Sequence, residues 1–221
     1  MSLKIMRYLL LLALITISVP SFAQKNFSFG IKGGVGFWRL TSFETPYYET
    51  MDYSYQAGFS FGFFIEKTLS TRISLVNEYS FQKSIEKATV ITNIGGPLEQ
   101  QITNYNLALA VILKFRMHEL WNIYVLAGPD IAYLTKAEYS FNDLVYNDKG
   151  ILDITKDLPK VSATAIFGLG KEIKLYNTKL IMELRAQLGI TKYRYFSYQY
   201  PVPSIGNWRN SDLVFLVGIK L

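Results

Sequence analysis

Cysteine is absent from the 221 residues, and histidine occurs once, as His118. The first absence excludes disulfides and thiol chemistry, and the two together remove the usual ligand sets of a transition metal. His118 adjoins Glu119 in a short predicted turn, with no nucleophile–base pair nearby. No catalytic residue, metal or cofactor is assigned, and the chain is not read as an enzyme. Charged residues make up only 18% of the chain, and its net charge of +6 is scattered rather than gathered into a stripe. Nucleic acid is therefore not an expected partner. Past the first residues there is also no run of roughly 20 apolar residues that could cross a bilayer as a helix. Yet half of the residues are hydrophobic and 15% are aromatic. So much apolar surface must be hidden in a core or in lipid.

The N-terminus carries Lys4 and Arg7, then an apolar run from Tyr8 to Val19, then Pro20-Ser21-Phe22-Ala23-Gln24. A basic start, a short apolar stretch and a small-x-small end describe a secretory signal peptide. Cleavage is expected after Ala23, giving a signal peptide over 1–23 and one mature domain over 24–221. Removal of Lys4 and Arg7 leaves 21 basic against 17 acidic residues.

What the mature chain has in abundance is alternation. In 53–66 the odd positions read Tyr53, Tyr55, Ala57, Phe59, Phe61, Phe63 and Ile65, whereas the even ones are mostly small or polar. Side chains alternate faces along a strand, so one face is apolar throughout. The segment also has the roughly 9–11 residues that a tilted strand needs to cross a bilayer. The same design recurs over 27–40, 72–82, 104–117, 121–136, 161–175, 179–191 and 212–221. Three connections are short (67–71, 118–120, 176–178) and four are long and polar (41–52, 83–103, 137–160, 192–211). Long and short alternate strictly, which is the sidedness of a bacterial outer-membrane barrel with short periplasmic turns and long external loops. The predicted fold is all-β, an eight-stranded antiparallel up-and-down transmembrane β-barrel, with both termini periplasmic.

The polar face places Glu66, Arg72, Glu78, Lys114, Arg116, Asp130, Glu172, Glu183, Arg185 and Lys220 in the lumen. Eight strands leave an interior just wide enough for side chains to fill, so opposite charges there must pair. Interior glycines, among them Gly30, Gly36, Gly58 and Gly170, make room for larger neighbours. Trp38, Tyr53, Tyr55, Trp121, Tyr193, Tyr195 and Phe196 sit near strand ends, as interfacial girdles require. The last long connection holds Tyr193, Tyr195, Phe196, Tyr198, Tyr200 and Trp208 with few charges, a composition suited to a protein-contact patch. Two apparent motifs dissolve on inspection. The glycines of Gly30-Ile-Lys-Gly-Gly-Val-Gly36 lie inside a strand pattern, with no helix following to cradle a phosphate. Asp143, Asp148, Asp153 and Asp157 have no calcium-loop spacing and alternate with lysines.

Several short stretches resemble the PorT-like family of outer-membrane β-barrels of Bacteroidetes. They are Gly30–Gly36, Gly62-Phe-Phe-Ile-Glu66, Ala127-Gly-Pro-Asp-Ile-Ala-Tyr-Leu134, Glu183-Leu-Arg185 and Val217-Gly-Ile-Lys-Leu221. The resemblance implies an integral outer-membrane protein, in a family whose founding member serves a secretion apparatus, and it carries over no catalytic residue. The expected function is structural, adhesive or secretion-accessory, exercised on a protein partner through the external loops, with outer-membrane lipid around the barrel. The alternatives are a narrow channel or small-ligand carrier, and a soluble periplasmic lipocalin-like barrel with the aromatic face inward.

Overall fold

The computed structural model describes residues 26–42, 51–54, 56–92, 96–118, 121–143, 148–191, 193–195 and 206–221. Period-two alternation produces the strands β1 (Phe27–Ser42), β2 (Met51–Ser54), β3 (Gln56–Thr68) and β4 (Ile73–Thr92). They continue as β5 (Gly96–His118), β6 (Ile123–Asp143), β7 (Asp148–Asp153) and β8 (Val161–Leu175). The chain ends with β9 (Thr178–Gly189), β10 (Tyr193–Tyr195) and β11 (Gly206–Lys220). Eight of these form an antiparallel ring in the order β1-β3-β4-β5-β6-β8-β9-β11, and β11 pairs back onto β1 from Gly30↔Lys220 to Ser42↔Trp208. The barrel is closed and has no free edge within the ring. The proposed signal peptide lies outside the described residues, and among those described no helix is long and apolar enough to cross a membrane.

The faces sort as the alternation demands. Phe59, Phe61, Phe63 and Ile65 of β3 point outward, while Ser60, Phe64 and Glu66 are buried inside. Leu184 and Met182 of β9, and Phe215 and Val217 of β11, continue the outward apolar belt. Neighbouring strands add ring contacts across it, such as Phe63 stacked on Tyr79 at 4.9 Å. The lipocalin-like alternative is thereby corrected, because it requires the aromatic face inside and the charged face in water.

The strand boundaries hold the main departures from the sequence reading. Most of 83–103 is strand rather than loop. The β4–β5 ladder continues without a slip from Ile73↔Phe115 to Thr92↔Gly96. β4, β5 and β6 are 20, 23 and 21 residues long, about twice what a crossing strand requires. Beyond the apolar belt both faces of a hairpin can meet water, so the hydrophobic period fades while backbone pairing persists. The stretch 137–160 likewise carries the end of β6 and all of β7, which pairs with it, and part of 192–211 pairs as β10 with β11. The segment 53–66 also shows a shift of register. Both β2 and β3 pair with β4, but the step from Ser54 to Phe59 spans five residues against four on β4, from Lys87 to Lys83. That one-residue shift marks a β-bulge. A second bulge separates Tyr105 from Asn106 in the β5–β6 ladder, so beyond it Ala137 and Tyr139 turn inward.

An arginine placed in the outward belt tests this arrangement. Leu184→Arg, near the middle of β9, should lower folding stability by about 2–4 kcal/mol in lipid vesicles. Reversible urea unfolding followed by tryptophan fluorescence measures it, and an unchanged midpoint would place Leu184 outside the hydrocarbon.

Candidate functional site

The lumen is built from alternate residues of all eight ring strands, and eight of its charged groups form two sets of ion pairs. Near the short turns, Lys114 and Lys220 stand between Glu66 and Glu172. The Lys114 ammonium donates to Glu66 Oε2 at 3.1 Å and also to Glu172 Oε1. The Lys220 ammonium donates to Glu66 Oε2 at 3.0 Å and Glu172 Oε1 at 2.6 Å. Lys114 also lies over the Tyr124 ring, 4.0 Å from its centroid. Two long cations close this end: Lys179 donates to Glu172 Oε2 at 3.0 Å, and Arg116 donates to the Thr71 carbonyl.

Deeper in, Lys32 and Arg185 stand between Glu78 and Glu183. Lys32 Nζ is 2.6 Å from Glu78 and 3.2 Å from Glu183, and Arg185 Nη2 is 2.8 and 2.6 Å from the same two carboxylates. The Tyr124 hydroxyl donates to Glu183 Oε1 at 2.8 Å, so one tyrosine touches both sets. Between them lies an apolar cluster that includes Phe64, Ile112, Tyr124 and Ile181. Each set holds two acids and two bases, all buried. Full pairing is the condition under which such charges are tolerated in a low-dielectric interior.

Glycines shape this packing. A Cβ at Gly170 would stand 2.5 Å from the Tyr124 ring, and Gly36 and Gly58 flank the Trp38 indole. Trp38 was expected in an interfacial girdle. It is instead 3% exposed and points into the lumen, because Val35 and Phe37 take the outward positions of β1.

Of the ten residues expected in the lumen, Glu66, Glu78, Lys114, Asp130, Glu172, Glu183, Arg185 and Lys220 are buried there. Arg72 is a correction. It lies in the exposed turn before β4, whose bend is held by Ser70 Oγ accepting from the Ile73 amide, and so has no inward position to occupy. Arg116 belongs to the rim, half-buried, with Nη2 4.0 Å from Glu172. Lys32, Glu86 and Asp212 were missed. Lys32 was masked by the glycine run around it, although the outward Phe29, Ile31, Val35 and Phe37 already put it on the opposite face. Glu86 lies in 83–103, where the hydrophobic period fades, and Asp212 stands first in the alternating stretch 212–221. The expected balance of five acids and five bases becomes, among the described residues, seven buried carboxylates and four buried cations.

At the end away from the short turns the segment after β7 folds back onto the inner face of β6. Ile154 and Leu158 pack with Leu134, Ala137 and Tyr139. Thr155 Oγ1 accepts from the Ala137 amide at 2.9 Å, and Asp153 Oδ1 accepts from the Thr155 amide at 2.9 Å. This small second core narrows that mouth of the barrel. Outside it β7 exposes Ile151 and Leu152. Of the proposed contact patch, Tyr193 and Trp208 are register partners in the β10–β11 ladder, which also contains Tyr195. Phe196, Tyr198 and Tyr200 lie outside the described residues. Among the described residues no three His, Asp or Glu side chains converge to hold a metal.

Residues 22–193 match the sequence profile of the outer membrane protein beta-barrel domain family. The chain belongs to that family. Its home is therefore the bacterial outer membrane, with lipid around the aromatic belt. No curated protein matches the chain by sequence. The outer membrane protein OprG of Pseudomonas aeruginosa superposes with a TM-score of 0.52 at 11% identity, over 89% of this chain and 97% of that one. Ail, the attachment invasion locus protein of Yersinia pestis, gives 0.47 at 11% identity over 89% and 99%. At such identities the likeness to OprG shows the fold alone.

The charge sets of this outer-membrane barrel predict strongly non-additive mutations. Arg185→Leu strands Glu78 and Glu183 with Lys32 as their only cation, and should cost about 3–5 kcal/mol. Adding Glu183→Leu restores charge balance and should recover most of that loss. Urea unfolding of the single and double variants in micelles measures the coupling.

Proposed function

We propose that this protein is a non-enzymatic outer-membrane barrel that acts on a protein partner at its long-connection end, in an adhesive, structural or secretion-accessory role. The single observation that carries this reading is the filled lumen. Among the described residues, side chains occupy it from the Glu66–Lys114–Glu172–Lys220 set to the Ile154–Leu158 core, and the spaces near Asp130 and Asp212 measure about 10 and 30 Å³. A space of that size holds a water or two, not a diffusing solute. With transport through the barrel unsupported, the surface left to act is the projecting end. It consists of the extended β4–β5–β6–β7 sheet with Ile151 and Leu152, and the aromatic segment 192–211. In this reading that end is external, both termini are periplasmic, and residues 1–23 direct export and are removed. The PorT-like resemblance makes a secretion apparatus the first place to seek the partner.

Two measurements test it. Tagged protein taken from detergent-solubilised outer membranes is expected to co-purify with a defined partner, which is lost when 192–211 is replaced by a Gly/Ser linker or when Ile151 and Leu152 are both changed to Ser. An unchanged set of co-purifying proteins with both variants would overturn the reading. In planar bilayers the wild-type barrel is expected to give no steady conductance, and open-channel steps would favour the narrow-channel alternative.

A further inference from the structure

The outward face of the barrel continues past the apolar belt. Phe81, Leu107 and Tyr133, register partners on β4, β5 and β6, belong to the belt, and the next outward residues on β4 and β5 are Lys83 and Tyr105. Phe59, Phe81 and Tyr105 form a row of rings with centroids 6.0 and 6.3 Å apart. Lys83 Nζ lies 5.6 Å from the centroid of the Tyr105 ring, and Lys136 is the register partner of Tyr105 on its other side. Ammonium groups thus begin where the rings end, with Lys136 paired to Glu138 at 2.6 Å. Four positions beyond Tyr105 the same face opens into a hollow of about 530 Å³. Lys87, Gln101, Ser140 and Ile151 form one row of it by register, and Glu99, Asn142 and Lys149 the next. Lys87 donates to Glu99 Oε1 at 3.0 Å, and Asn142 Nδ2 donates to Glu99 Oε2 at 3.5 Å, so the polar groups are already set in place.

We infer that this wall of the barrel holds one glycolipid of the surrounding leaflet, with its acyl chains on Phe59 and Phe81, its phosphorylated inner sugars at Lys83 and Lys136, and its outer sugars in the hollow. External placement of the long-connection end, as proposed above, is required. Three observations favour this occupant. The surface is continuous with the lipid belt along the strand direction, so a single amphiphile can cover both parts. Lysines beside the belt suit the phosphate groups of a lipid head. The height decides between lipids. Six positions separate Tyr105 from Glu99, roughly 20 Å of strand at about 3.3 Å per residue and roughly 15 Å of height at a tilt of about 40°. The polar layer of a phospholipid leaflet is only about 5–8 Å deep. A phospholipid head therefore stops short of the hollow, whereas a chain of sugars reaches it. Gln101, Ser140, Asn142 and the Lys87–Glu99 pair offer donors and acceptors to sugar hydroxyls, and Ile151 and Phe141 offer apolar contact to the ring faces.

Native mass spectrometry of the barrel, refolded from urea into lipid-free micelles, tests this with three probes: lipopolysaccharide carrying its core sugars, lipid A alone, and phosphatidylglycerol. The first is expected to bind one per barrel, at least tenfold more tightly than either of the others. Gln101→Ala combined with Asn142→Ala should reduce its binding to the level of lipid A without changing Tm, since both side chains lie on hairpins outside the membrane. Equal binding of lipopolysaccharide and lipid A would overturn the proposal, as would wild-type binding by the double variant, and either would leave the hollow to a protein partner. Placement is read separately. Lys156→Cys introduces one thiol into a chain that has none, and a membrane-impermeant maleimide should label it on intact cells. Labelling without selective binding overturns the glycolipid site alone, and absence of labelling overturns the external placement and the site together.

Discussion

A backbone amide or carbonyl without a partner costs several kcal/mol in hydrocarbon, so a sheet that crosses a membrane cannot keep an edge. The ladder between β1 and β11 removes that edge here, and the rest of the structure depends on it. Its register, from Gly30↔Lys220 to Ser42↔Trp208, ties the first strand to the last. Closure with eight strands sets the diameter, and the diameter decides that the interior is filled with side chains rather than water. The same ladder gives each alternating residue one of only two destinations, lipid or lumen.

The lumen destination is the harder one to satisfy. Glutamates, lysines and an arginine enter an interior where an isolated charge is very unfavourable, and they are stable there as two neutral sets. The partners lie far apart along the chain, as in Lys32–Glu183 and Lys220–Glu66, so the ion pairs form only when the barrel is closed and in register. A one-residue slip of β9 would send Glu183 and Arg185 into lipid and bring Leu184 inside. The charge sets therefore specify register more than they add stability. Tyr124 joins the two, and Gly170 leaves the space in which its ring lies.

The two ends of the barrel differ for a related reason. The short-turn end is closed by lysine and arginine drawn toward Glu172. The other end is built from hairpins that outrun the membrane and from the Ile154–Leu158 segment folded into the mouth. Between that segment and the Lys32–Arg185 set lie the buried carboxyl groups of Asp130 and Asp212.

Much of this was legible in the residue order. Phe59, Phe61 and Phe63 against Ser60, Gly62 and Glu66 declare a two-faced strand, and eight such segments with alternately long and short connections declare a barrel with sides. Most of the inward charges followed from the same parity. What misled was local. Arg72 was counted inward because a turn residue cannot be told from the first residue of a strand by alternation alone. The stretch 83–103 was read as a loop because pairing in water needs no hydrophobic period. Parity itself fails at the bulges, where Ala137 and Tyr139 change face. The sequence by itself determined the number of crossings, their apolar face and the residue types inside, because a period of two against lipid is written into successive side chains. Which carboxylate meets which cation was decided only by the tertiary structure, because shear and register bring together residues as far apart as Lys32 and Glu183.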